Sequence, residues 1–271
     1  MFLVSLLKHV VTQIGTNYEG RIKHLNAELT RACNLRCTYC FNDSGKRMDG
    51  ELEKEQWEKV IDASRNLGAE SILFTGGEIT TRRDAEEIIR YAIDSGIRTS
   101  ILTNGSGLRR DEYQEIMGAL ERIQISLDSA NPRIHDARRG SGSWKVARDA
   151  IDYVRSQNVP VEISATISED YFSELEGISE IAQSTGSKVL IRPIQRIGRG
   201  EKEYTEAAIE ERKKQLEGRL GNIFVADFAR YVPILGAEHD RIVGGQGYIT
   251  VLPDGKIRGR KQASLYDQKA G

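Results

Sequence analysis

No cysteine follows position 40 in this 271-residue chain: all three stand in the stretch RACNLRCTYCFN, residues 31–42. An odd number of thiols crowded onto one segment excludes a disulfide framework and points instead to metal chemistry in a reducing compartment. Charge of one sign is also missing. Lysine and arginine total 39 against 40 for aspartate and glutamate, so no electrostatic commitment to nucleic acid or to an anionic membrane is present. No run approaches the roughly 20 apolar residues of a membrane span. The apolar start MFLVSLLKHVVTQIG has no basic segment before it, carries Lys8 inside it and lacks a small-residue cleavage site. It reads as an amphipathic helix over residues 1–24 rather than an export signal, and the expected location is cytoplasmic.

What is present, from residue 25 onward, is alternation. Short β-branched runs, HLNAEL, ESILFTG, RTSILTNG, RIQISLD, VEISATI and KVLIRPI, are separated by stretches with apolar residues at helical spacing. Trp57, Val60, Ile61 and Ser64 form one such stripe, and Ile88, Ile89 and Ala92 another. Gly68, Gly96 and Gly186 close three of these helices. Six β/α repeats predict a parallel sheet with right-handed crossovers. Strand count alone leaves a doubly wound sheet and a curved, incomplete barrel equally open, but both put the working site at the C-terminal strand ends. There the unusual residues cluster: cysteines after the first strand, GGE after the second, TNG after the third and SLD at the fourth. Beyond residue 200 the rhythm weakens into a charged helix (EKEYTEAAIEERKKQLEGRL) and a β-hairpin turning at Pro253, Asp254 and Gly255.

Thiolates suit zinc and iron–sulfur clusters. A structural zinc site needs a fourth ligand, for which His24 and His135 are the candidates, and such a protein would be a scaffold. A four-iron cluster held by three thiolates leaves one iron open, in the way a catalytic metal keeps a vacant position. Tyr91, Trp144 and Tyr153 fall at helix-core spacings and read as packing, while His135 and Asp136 read as fixing the loop between the fourth strand and its helix rather than as an acid–base pair. Asp128 reads as a cap on the segment that follows.

Cys33, Cys37 and Cys40 in C-x₃-C-x-Φ-C, with Tyr39 as the aromatic and Gly76, Gly77 and Glu78 after the next strand, resemble the radical S-adenosylmethionine (radical SAM) superfamily. The stretch SLDSANPRIHDARRGSGSW resembles its branch with SPASM or twitch extensions, mostly peptide and protein modifiers. The similarity spans about residues 25–200. It implies an α/β fold, a partial (β/α)₆ TIM-like barrel over 25–200, with residues 201–271 a helix and a degenerate SPASM- or twitch-like hairpin. It also implies one [4Fe–4S] cluster on the three cysteines and S-adenosylmethionine on the open iron, whose one-electron cleavage gives a 5′-deoxyadenosyl radical for hydrogen abstraction from a peptide or small metabolite. An external flavodoxin- or ferredoxin-type protein would supply the electron. Cofactor contacts are implied for Tyr39, Gly76, Gly77, Glu78 (to the ammonium), Asn104, Ser126, Thr166 and Arg192, and the turn QRIGRG for the adenine pocket or the exit from the barrel. The sequence departs from that branch in two places. The flanks of the hairpin read Gly244, Gly245, Gly259 and Arg260 where relatives carry cysteines for further clusters, and Tyr171 stands where relatives often carry asparagine. Without auxiliary thiolates in this chain, redox-neutral outcomes are easier to defend than oxidative cross-linking.

Overall fold

The computed structural model describes residues 23–194, 198–200, 223–225 and 248–258. The expected helix at the N-terminus, the expected charged helix after residue 200, residues 195–197 of the expected QRIGRG turn and the flanks of the hairpin lie outside these residues.

Six strands alternate with helices: β1 (His24–Glu28), α1 (Lys54–Asn66), β2 (Ser71–Thr75), α2 (Ala85–Asp94), β3 (Arg98–Thr103), α3 (Asp111–Met117), β4 (Arg122–Ser126), α4 (Pro132–Arg139), α5 (Ser143–Ser156), β5 (Val161–Ile167), α6 (Glu174–Thr185) and β6 (Lys188–Pro193). Three further strands, β7 (Ile223–Val225), β8 (Tyr248–Val251) and β9 (Ile257–Arg258), complete a sheet of order β7-β6-β5-β4-β3-β2-β1-β8-β9. Every pair from β1 to β7 is parallel, β8 joins β1 in parallel, and β9 returns antiparallel.

This order resolves what strand counting left open. A doubly wound sheet reverses direction at a switch point and so places helices on both faces. Here, from β1 to β7, each strand pairs with its predecessor and no step reverses, so right-handed crossovers put the helices between these strands on one face and the sheet curls as an incomplete barrel. The two faces differ accordingly. Leu25, Ala27, Phe74, Ile101, Ile123 and Ile163 join the stripes of α1 and α2 in one hydrophobic core. Alternate residues, among them Glu28, Ser100, Gln124, Ser126, Ser164 and Arg192, point to the other, concave face. Trp57, Val60, Ile61 and Ser64 are the buried face of α1, as the spacing predicts, and each large apolar side chain among them contributes about 1.5–3 kcal/mol. Tyr91, Trp144 and Tyr153 pack against the core.

Two elements escape the periodicity. The loop expected after β4 contains α4, capped by Asn131, whose side chain accepts from the Arg133 amide at 2.9 Å, and stopped by Gly140 at φ +135°. Its buried side chains are His135, Arg138 and Arg139. Polar partners bury them, so no apolar stripe marks the helix. Strand β7 is only three residues long. The hairpin β8–β9 turns where expected, with Gly255 at φ +77°, and the Leu52 amide donates to the Pro253 carbonyl at 2.7 Å. It continues the barrel sheet on the β1 side. Among the described residues, no helix is long and apolar enough to cross a membrane.

Candidate metal centre

The cysteine loop leaves the C-terminal end of β1 and is pinned by backbone. The Cys33 amide donates to the Gly45 carbonyl and the Gly45 amide to that of Arg31, both at 3.0 Å. Buried Glu51 accepts from the Arg31 amide at 2.7 Å and from the Thr30 hydroxyl at 3.0 Å. All three cysteines are free and half-buried. The Cys33 sulfur accepts from the Leu35 amide and the Cys40 sulfur from the Ser44 amide, each at 3.4 Å. Burial pushes the Cys33 thiol up to about 11 and also raises that of Cys37. Such thiols stay protonated until a metal takes the proton's place.

The zinc reading fails on geometry. His24 sits at the opposite end of β1, about 13 Å of strand away from Glu28, with its ring nitrogen on the Ser71 hydroxyl at 2.7 Å. His135 is buried, and its Nδ1 accepts from the Asp128 amide at 3.1 Å. Among the described residues, no three His, Cys, Asp or Glu side chains converge on a single-ion position. A cluster makes no such demand, because each thiolate binds a different iron.

Gly76 and Gly77 follow β2 and press on this loop. A side chain at Gly76 would stand 2.5 Å from the Thr30 carbonyl oxygen, and one at Gly77 would stand 2.1 Å from that of Ala32. The amides of Gly77 and Glu78 donate to those same two carbonyls at 2.7 and 2.8 Å. The glycines are therefore required by the chain's own close approach, whatever a cofactor adds. Glu78 is buried. One carboxylate oxygen takes the Thr80 amide, the Thr80 hydroxyl and the Thr103 hydroxyl at 3.1, 2.8 and 2.8 Å, and the other takes the Asn104 amide at 2.7 Å. Burial raises its pKa against the pull of these donors. These four chain donors fix the carboxylate in place. Asn104 makes two side-chain contacts: its carbonyl oxygen accepts from the Ser106 amide at 2.9 Å in a turn, and its amide nitrogen donates to Asn34 in the cysteine loop at 2.8 Å.

At the tops of β4 and β5 the centre is Asp128, not a cap. It is fully buried and receives Arg139 through two hydrogen bonds at 2.7 and 2.9 Å, the Thr166 amide at 2.9 Å and the Tyr39 hydroxyl. Burial alone would raise its pKa, but the guanidinium groups of Arg139 and Arg138 hold the carboxyl well below the ordinary range. Arg138 lies between the rings of Tyr39 and Tyr171, 4.6 and 4.2 Å from their centroids, and donates to the Thr166 carbonyl at 2.6 Å. Tyr39 is thus anchored by the barrel, which fixes the middle of the cysteine loop. His135 is held neutral, its pKa lowered to about 4 by burial. Asp136 accepts from the Gly142 and Trp144 amides at 2.7 and 2.8 Å, so this pair fixes the loop as the sequence suggested. Ser126 stands half-buried on the concave face, and its hydroxyl takes no hydrogen bond among the described residues. Arg192 reaches across that face to the Ser164 hydroxyl at 2.9 Å and to Gln124 at 2.7 Å, one layer below the strand tops. The hub of Asp128, Arg138 and Arg139 was the part sequence reasoning undervalued. Its only signal was an arginine pair one short helix after SLD.

Fold and site together define an α/β partial barrel with a cluster-type cysteine loop at the C-terminal ends of its strands, where three soft donors sit on one segment and fit a cluster with an open iron. The Radical SAM superfamily model matches residues 27–169, more than half of the chain, and the chain belongs to that superfamily. This family uses a [4Fe–4S] cluster and S-adenosylmethionine. The chain is 27% identical over 259 residues to the antilisterial bacteriocin subtilosin biosynthesis protein AlbA of Bacillus subtilis, covering 93% of this chain and 57% of AlbA. It is 32% identical over 163 residues to the AdoMet-dependent heme synthase of Methanosarcina barkeri, covering 59% of this chain and 47% of that protein. The fold is similar to that of Streptococcus suis SuiB bound to precursor peptide SuiA, with a TM-score of 0.77 at 17% identity over 95% of this chain and 63% of SuiB. The chain therefore spans about half the length of the curated relatives it matches.

Proposed function

We propose that this chain is the barrel of a radical SAM enzyme that abstracts hydrogen from a peptide or small-molecule substrate. The observation that carries the reading is the contact between the cysteine loop and the GGE turn, which are locked backbone to backbone at the C-terminal rim of a barrel with a polar concave face. When bound, the cluster and S-adenosylmethionine supply a 5′-deoxyadenosyl radical through one-electron cleavage of the sulfonium.

The chain's own residues hold and orient. Cys33, Cys37 and Cys40 would hold the cluster through three thiolates and would leave one iron open for the cofactor. Gly76 and Gly77 offer backbone without side chains beside that position. The Ser126 hydroxyl, with Thr166 and Arg192 on the same face, supplies polar contacts to cofactor or substrate. The Asp128 hub keeps Tyr39, and with it the loop, in register with the strand tops. An external flavodoxin- or ferredoxin-type donor brings the electron. A peptide substrate is favoured over a metabolite by the coverage of AlbA, a bacteriocin biosynthesis protein, across nearly the whole chain, and by the likeness to SuiB, solved with a precursor peptide. Heme synthase keeps the small-molecule class in view.

Anaerobic reconstitution with iron and sulfide, followed by dithionite and S-adenosylmethionine, tests the reading. Stoichiometric cluster and release of 5′-deoxyadenosine are expected, and Cys37→Ala should lose both. Stoichiometric zinc without a cluster, or a cluster that yields no 5′-deoxyadenosine, refutes it.

A further inference from the structure

We infer that Gly198 and Arg199, just past β6, form a latch that sets the geometry and electrostatics of the cluster loop, with Arg199 as a positioning residue for the metal centre. The inference rests on the cluster reading above, which it deepens. Arg199 lies 159 positions after Cys40, yet its backbone amide donates to the Cys40 carbonyl at 3.0 Å. Its Nε donates to the Cys37 carbonyl at 2.8 Å and its Nη1 to the Ser44 carbonyl at 3.1 Å. The same guanidinium pairs with the Asp43 carboxylate. Asp43 itself holds φ +45°, a left-handed conformation uncommon outside glycine. Gly198, at φ +65°, brings its backbone so close that a side chain there would stand 2.4 Å from the Cys40 carbonyl oxygen and 2.5 Å from that of Phe41.

An ordinary loop contact would touch one or two groups. Here one arginine collects three carbonyls and a carboxylate over eight consecutive residues, and two of those carbonyls belong to the ligand cysteines. A planar fork of donors can do this, whereas an ammonium point charge cannot. Arg199 donates to carbonyl oxygens and leaves the sulfurs for iron. The ties on the other side of the loop, Tyr39 to Asp128 and the Thr38 amide to the Arg138 carbonyl at 2.9 Å, grip its centre. The latch grips the Cys40 end, so the spacing between ligands is fixed from both sides of the barrel. Outer-shell partners of this kind commonly tune metal affinity 10- to 100-fold, and a nearby positive charge favours the reduced cluster.

The test compares wild type, Arg199→Gln, Arg199→Lys and Gly198→Ala after anaerobic reconstitution, without S-adenosylmethionine or substrate. The readouts are iron release to a ferrous chelator and the midpoint potential from an EPR-monitored titration, with circular dichroism to confirm folding. Arg199→Gln should release iron at least about tenfold faster and titrate at a lower potential. Arg199→Lys should keep the potential and release iron at an intermediate rate. Gly198→Ala should release iron faster than wild type. A wild-type release rate and potential in Arg199→Gln, with wild type itself fully loaded, overturns the latch alone. Failure of wild type to load any cluster overturns the underlying reading and the latch with it. If Arg199→Gln does not fold, Arg199→Lys decides: a wild-type release rate there overturns the role of the fork.

Discussion

Replacing Asp128 by alanine removes the single carboxylate that faces two buried guanidinium groups. Arg138 and Arg139 are 4% and 8% exposed, and Asp128 is 0% exposed. In the folded protein Arg139 reaches it through two hydrogen bonds, at 2.7 and 2.9 Å, and Arg138 lies 3.7 Å away. Without Asp128, Arg139 loses both of these hydrogen bonds, and the Thr166 amide and the Tyr39 hydroxyl lose theirs to the same carboxylate. Breaking a buried pair from one side costs about 3–5 kcal/mol, because the surviving charge is left desolvated. Replacing both partners with apolar groups of similar size is often close to neutral. Urea unfolding of the reduced, metal-free protein should therefore show Asp128→Ala destabilised by about 3–5 kcal/mol. The double variant Asp128→Leu/Arg139→Met should recover part of that loss, because it removes one of the two buried charges while Arg138 keeps its own. The Tyr39 fluorescence environment should change in the single variant, since its hydroxyl partner is gone. A cost below about 1 kcal/mol for Asp128→Ala, the range of exposed pairs, would refute the reasoning that the hub is desolvated and that it anchors the loop.

Two further outcomes follow from the same geometry. Gly77→Ala places a methyl group 2.1 Å from the Ala32 carbonyl oxygen, so the backbone must shift at a cost of about 1–3 kcal/mol, and iron per chain after reconstitution should fall; wild-type stability and iron loading would contradict the close approach. His135 gives a pH signature: its pKa is lowered in the folded state to about 4 from 6.5, so the unfolded chain binds the extra proton. Its contribution is complete above pH 6.5 and is lost as pH falls toward 4, by about 3 kcal/mol at 1.36 kcal/mol per unit. Urea midpoints measured across that window should drop in wild type and flatten in His135→Asn; equal slopes would show that the ring is not held neutral.

Much of the working rim was legible in the chain itself because each part has a local cause. The cysteine spacing, the glycine pair and the strand runs are set by neighbours a few residues apart, and period-2 and helical patterns report which side of an element meets the core. Helix α4 was not legible for the same reason: its buried groups are His135, Arg138 and Arg139, which carry no apolar signal. Nor were the four donors to Glu78, which come from Thr80, Thr103 and Asn104.

The sequence by itself determined that a three-thiol metal loop follows the first strand of a β/α chain and that GGE follows the second, since both are written in contiguous residues. Tertiary structure decided that strands β1 to β7 follow one another without reversal and that β8 returns to the side of β1. It alone showed that the glycines at 76 and 77 are demanded by the backbone of residues 30–32, that Asp128 pairs with two buried arginines, and that Arg199 grips the loop from the far end of the barrel. Those relations join residues from ten to more than a hundred positions apart. Only closing the fold brings such groups within hydrogen-bonding reach and strips the water that would otherwise screen them.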